Sequence, residues 1–198
     1  MSGPRILLWF DLLRGADTHP MGSSLTQVDA PLFRVRASGA FKQKPGCPAF
    51  AHAGLAPERL QNLCAGECDY PSDQRHRIER IEIIRIRPQQ SPDEAVADLI
   101  DDPWQVHPCG SDTCTAEFRD PEFPAGQRDA LYYARVIQEA TPTINADNLR
   151  CEYDADGNCI KVNPCYGDFR TDTAEECAAP AEHRAWSSPI YLQYAEGG

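Results

Sequence analysis

The stretch HRIERIEIIRIRPQ, residues 76–89, is the longest regular run in the chain, and its reading decides the fold. Ile81 and Ile83 alternate with Glu82; Ile84 and Ile86 then alternate with Arg85 and Arg87. A period of two places successive side chains on opposite faces of a strand, and β-branched isoleucine suits a pleated surface. Between Ile83 and Ile84 the apolar phase slips by one, the pattern expected of a β-bulge.

The segments on either side read the same way. PLFRVRASGAF (31–41) sets Phe33, Val35 and Ala37 against Arg34 and Arg36, a half-buried antiparallel strand. PRILLWFDLL (4–13) is a strand with Ile6, Leu8 and Phe10 on one face and Leu7 and Trp9 on the other. Both faces are apolar, so burial on both sides is expected. TCTAEFRDP (113–121) is a brief strand. DALYYARVIQEATPTIN (129–145) is long enough for a helix, but its tyrosines and branched residues favour a strand. LRCEYDADGNCIKV (149–162) reads as a hairpin turning at Asp156-Gly157, with Cys151 facing Cys159. AWSSPIYLQY (185–194) reads as one last strand. Two short helices are expected, in APERLQNLC (56–64) and, capped by Ser91 and ending before Pro103, in SPDEAVADLIDDPW (91–104). Six or seven strands against two short helices predict a mainly β fold, antiparallel, sandwich-like and rich in loops. RGADTHPMGSS (14–24) and KPGCPAFAHAG (44–54) read as loops.

The chain has 198 residues, 41% of them hydrophobic, enough for one domain with its own core. Its formal net charge of −11 excludes a nucleic-acid partner of the ordinary basic kind and docking on an anionic membrane. No apolar run is long enough to span a bilayer, so no membrane insertion is expected. The start does not read as a signal peptide, because five apolar residues, Ile6 to Phe10, are followed at once by Asp11.

Nine cysteines stand at 47, 64, 68, 109, 114, 151, 159, 165 and 177. Short loops would join Cys109 to Cys114, Cys151 to Cys159, Cys165 to Cys177, and some pair among Cys47, Cys64 and Cys68, leaving one odd thiol. Zinc is the rival reading, from Cys64-x3-Cys68 and Cys109-x4-Cys114, and plain buried thiols the third. A disulfide framework would place the protein in an oxidising compartment.

Motifs that carry chemistry are sparse. DADGN (154–158) opens like a calcium loop, but the twelfth position is Cys165 where a bidentate glutamate is needed, so a turn is expected. The five histidines, at 19, 52, 76, 107 and 183, occur singly. Ser187 and Ser188 lie outside any nucleophile elbow. Arg85 and Arg87 share a strand face and would suit a carboxylate or phosphate; Glu79, Glu82 and other acids are the expected ordinary partners. Spacing alone assembles no catalytic set.

Several stretches together resemble a known family: SGPRILLWFDLL (2–13), PMGSS (20–24), FRVRASGAFKQKPGCP (33–48), RIEIIRIRPQ (80–89), LIDDPWQVHPC (99–109), DPEFPAGQRDALYYARVIQEATPTIN (120–145), CEYDADGNC (151–159) and RAWSSPIYL (184–192). They resemble the C-terminal part of the bacterial domain-of-unknown-function family 3604, related to the polymerase and histidinol phosphatase (PHP) metallo-phosphoesterases. The resemblance runs in order over almost the whole chain. It implies that a metal-binding barrel precedes the Ser-Gly-Pro-Arg-Ile at Ser2 to Ile6, that this barrel is the partner, and that it carries the divalent metal. It implies no catalytic residue, metal ligand or cofactor in this segment, and a periplasmic or extracellular place for the full-length protein. Loop or strand residues such as His19, Arg85 and Arg87 would then contact substrate. The competing expectations are a free-standing disulfide-stapled module for a ligand or protein, and an enzyme in its own right.

Overall fold

A computed structural model of the chain describes residues 5–64, 68–144, 151–162 and 178–195. Cys165 and Cys177, with the pairing expected between them, lie outside the described residues.

The strands are β1 (Leu7–Arg14), β2 (Asp17–Pro20), β3 (Ser24–Gln27), β4 (Leu32–Ser38), β5 (Phe41–Pro45), β6 (Asp69–Arg75), β7 (Ile78–Ile86), β8 (Ile100–Pro108), β9 (Thr113–Arg119), β10 (Ala130–Ile144), β11 (Cys151–Tyr153), β12 (Cys159–Val162), β13 (Ala178–Trp186) and β14 (Ile190–Tyr194). Two short helices, α1 (Pro57–Cys64) and α2 (Phe123–Gly126), complete them. A first sheet has the order β2-β1-β4-β9, and a second runs β3-β14-β10-β7-β8 with β13 also paired to β10. Pairing is antiparallel throughout except between β14 and β3. Two two-stranded sheets, β5–β6 and the hairpin β11–β12, stand apart. The fold is thus mainly β, an open antiparallel sandwich with two short helices and no closed barrel.

The two sheets meet through one apolar layer. Phe10 and Leu12 of β1, Phe33 and Val35 of β4, and Phe118 of β9 face Ile81 and Ile83 of β7, Tyr132, Ala134 and Val136 of β10, and Ile190 and Leu192 of β14. Phe33 is the centre, with ring centroids 5.3 Å from Phe10, 5.2 Å from Phe118 and 4.7 Å from Tyr132. Gly39 lets the backbone cross tightly after β4. A Cβ there would lie 1.8 Å from the His76 carbonyl oxygen, so no side chain fits.

The alternation along 76–89 is a strand, but its phase slip has another cause. Against β10 the register from Ile81 to Ile86 runs without a shift. Ile81, Ile83, Arg85 and Arg87 therefore point into the sandwich, and Glu82, Ile84 and Ile86 point out. The apolar pattern changes phase because the two faces exchange character along the strand. The irregularity beside Ile84 belongs to β8, where Asp102, Pro103 and Trp104 together oppose that one residue. The extra residue of β7 is Glu79, inserted between the Ile78 and Arg80 pairings with β10.

Other expectations are corrected. The outer face of β1 is open, with Leu7 and Trp9 exposed while Phe10 and Leu12 are buried. Trp9 is covered only in part, by the Arg36 guanidinium 5.7 Å from its ring. Residues 91–104 form turns and a single 3-10 turn (Val96–Leu99), then enter β8. Pro103 is tolerated in that strand because it sits where the ladder is already interrupted, so its missing N–H costs nothing. The second helix is α2. The 14–24 loop contributes β2 and the first residue of β3, and 185–194 divides between β13 and β14. Fourteen strands are described where six or seven were expected, the surplus including short pieces such as β2 and β3 and the longer β6, β8 and β13.

Cys109 and Cys114 are joined, Cα to Cα 5.9 Å. Cys114 lies in β9 of the first sheet, and the Cys109 amide donates to Glu79 of the second, so the bond ties the sheets together. Closing so short a loop is worth about 2 kcal/mol in the chain-entropy picture. The Cys109→Ala/Cys114→Ala double variant should lose about that much in urea denaturation while keeping its far-UV spectrum. Cys151 and Cys159 are also joined, across β11–β12, but diagonally: Cys151 is in register with Val162 and Cys159 with Tyr153. Between them Asp154 Oδ1 accepts from the Asp156 and Asn158 amides, and Gly157 takes φ +83°, the expected turn.

Candidate functional site

Charge gathers where the inward face of β7 changes from isoleucine to arginine. The Arg85 guanidinium donates from Nε to Asp101 Oδ2 at 2.9 Å, and from Nη1 to Asp120 Oδ2 at 2.9 Å and Glu122 Oε2 at 2.8 Å. It also lies 4.6 Å from the centre of the Trp104 ring. Asp120 comes at the end of β9, is 1% exposed, and accepts further from the Tyr132 hydroxyl at 2.6 Å and the Glu122 amide at 2.9 Å. Arg85, Asp120 and the Tyr132 hydroxyl each have partners, the condition for burying them at tolerable cost. Arg87 Nη2 donates to the Asp98 carbonyl at 2.9 Å and to Asp101 Oδ2 at 3.3 Å.

Arg85, Arg87, Asp120, Glu122 and Tyr132 border a cavity of about 350 Å³ at the mouth of the sandwich. Arg85, Arg87 and Arg128 supply its cationic wall, Phe123, Ala125 and Ala130 its apolar one. Arg128 is held by Gln90 and Glu94. Burial alone would lower the Arg85 pKa, but its bonds to Asp120, Glu122 and Asp101 outweigh it and hold the guanidinium charged. The Tyr132 phenol is pushed well up, by burial and then by its bond to Asp120. It therefore stays protonated and acts as a donor. The cluster orients cations and a phenol; it pairs no nucleophile with a base.

Of the residues singled out in the sequence, Arg85 and Arg87 come together here. His19 does not join them; it lies on β2 in the first sheet, opposite Leu12. Other acids do pair with Arg85 and Arg87, as expected, but the two named for them, Glu79 and Glu82, are elsewhere. Glu79 binds Arg77, and Glu82 binds Arg80 and Arg135. Burial would raise the Glu82 pKa, but those two guanidiniums hold it below its ordinary value. The partners of Arg85, namely Asp101, Asp120 and Glu122, come from three segments that only sheet pairing unites. The histidines remain dispersed: His76 binds Glu139 at 3.0 Å, and His107 packs 5.6 Å from Phe118, where burial lowers its pKa. Among the described residues no group of three His, Cys, Asp or Glu side chains is arranged to hold a metal ion.

The outward face of the same sheet is the second feature. Registers align Tyr191, Leu131, Ile86 and Ile100 in one row across β14, β10, β7 and β8. Tyr133 and Ile84 form the next row. Trp186, Arg135, Glu82 and Val106 form another. Trp186 is 58% exposed and Val106 48%. A shallow cavity of about 340 Å³ lies here, bordered by Ile86, Leu131 and Tyr191. Among the described residues no helix is long and apolar enough to cross a membrane.

Comparison with protein-family models, with curated proteins and with solved structures finds no match to this chain.

Proposed function

We propose that this chain is a non-catalytic β-sandwich module that packs on the barrel of a metal-dependent, phosphoesterase-like hydrolase and helps wall its active site. The resemblance to family 3604 supplies the barrel as partner, and with it the divalent metal and the exported location. The observation that carries the reading is the set of exposed large apolar side chains on the outward face of the second sheet, Tyr191, Ile100, Val106 and Trp186, set around the buried Ile84 and the Arg135–Glu82 ion pair. Rows of aromatic and branched side chains on an exposed sheet face mark a surface that another body covers. The first strand adds Leu7 and Trp9 on the other side of the molecule.

Reading the gene upstream of the Met1 codon in frame identifies the barrel, which is then expressed separately and mixed with this chain. Co-elution is the expected result. Val106→Glu with Trp186→Glu should abolish it while changing the module's own stability by no more than about 0.5 kcal/mol, as for exposed positions. A stop codon close upstream, or co-elution that survives both substitutions, would overturn the proposal. The second reading is a free-standing disulfide-stapled binding module, favoured by a core that both sheets of this chain complete. It requires the chain to be monodisperse and to bind its ligand without a barrel.

A further inference from the structure

We propose that the mouth cavity is a binding site for a small organic oxyanion, a carboxylate or phosphate joined to a flat apolar body. Three guanidiniums, of Arg85, Arg87 and Arg128, face one space with Phe123 and Ala125. Such a wall suits an anionic head beside an apolar body. The Nε of Arg87 is buried without accessible surface and meets no hydrogen-bond partner among the described residues, so the Arg87 side chain would have to turn before that donor met a ligand.

Each guanidinium already has a carboxylate, Asp101, Asp120 and Glu122 on Arg85, Asp101 on Arg87 and Glu94 on Arg128, so a ligand must displace one of them. Asp120 is buried and fixed by Tyr132 and by the Glu122 amide. Glu122 is different: its side chain is 69% exposed, yet it binds Arg85 Nη1. It occupies the place an incoming oxyanion would take. When Glu122 swings to solvent, Arg85 stays oriented by Asp101 and Asp120, so the ligand meets a guanidinium already in position. The exchange trades one ion pair for another and makes or breaks no covalent bond. The site lies wholly within this chain and does not depend on a barrel.

The test is titration of the 198-residue chain with phenyl phosphate, benzoate and inorganic phosphate, read by calorimetry and by amide NMR shifts. Phenyl phosphate or benzoate should bind at one site with Kd about 1 mM or tighter, and inorganic phosphate about tenfold more weakly for want of an apolar body. The tighter of the two organic probes tells phosphate from carboxylate. Glu122→Gln removes the competing carboxylate at an exposed position and should tighten binding about tenfold; Arg87→Gln should weaken it by a similar factor. No saturable binding by either organic probe overturns the proposal. So does an affinity that neither substitution moves.

Discussion

Phe33→Ala will lower the free energy of unfolding by about 3–5 kcal/mol, the usual cost of deleting a buried aromatic ring. Phe33 is fully buried and touches rings from both sheets: Phe10 and Phe118 from its own, Tyr132 from the other. The void would open where the sheets meet, and strands hydrogen-bonded on both sides, as β4 is to β1 and β9, cannot move in to fill it. Urea denaturation followed by tryptophan fluorescence measures the loss. Phe33→Leu, which keeps most of the volume, should cost under about 1.5 kcal/mol. Equal losses in the two variants would mean that the ring does not bridge the sheets.

Arg85→Met will cost about 3–5 kcal/mol as well, for a different reason. Methionine fills the space of the aliphatic stem, so little packing is lost. What remains is Asp120, 1% exposed, with its cation gone. A buried carboxylate stripped of its partner is far worse than no pair at all. Arg85→Met combined with Asp120→Asn should therefore recover part of the loss, because the neutral asparagine keeps one oxygen to accept from the Glu122 amide while its NH2, in the place of Oδ2, donates to the Tyr132 hydroxyl oxygen. The same denaturation experiment decides it. A cost below about 1 kcal/mol for Arg85→Met would show that the cluster is a solvated surface network.

Much of the fold was legible because alternation is a local property. Phe33, Val35 and Ala37 against Arg34 and Arg36 marked β4, and the tyrosine-rich 129–145 marked β10 against its helical length. Both are strands with the expected faces, or, for β10, the expected type. Residues 91–104 were misread because Ser91 and Pro92 imitate a helix start, while the register with β7, a long-range property, draws Ile100 onward into a strand. The phase slip at Ile84 was visible, but its meaning was not. One pattern fits a bulge or an exchange of faces, and only the neighbouring strand decides which. The site was half legible for a similar reason. Two arginines two apart on a strand can be seen in sequence; the acids they meet, 16, 35 and 37 residues away, cannot.

The Cys109–Cys114 bond and the Arg85 cluster lie at opposite ends of β9, which begins beside the cysteine and ends beside Asp120. The sandwich is built like a clasped book. Its spine is a covalent bond that answers only to thiols; its fore-edge is closed by charge and a phenol. A thiol reductant therefore releases one end of the sandwich and leaves the other tied by Arg85, Asp120 and Tyr132.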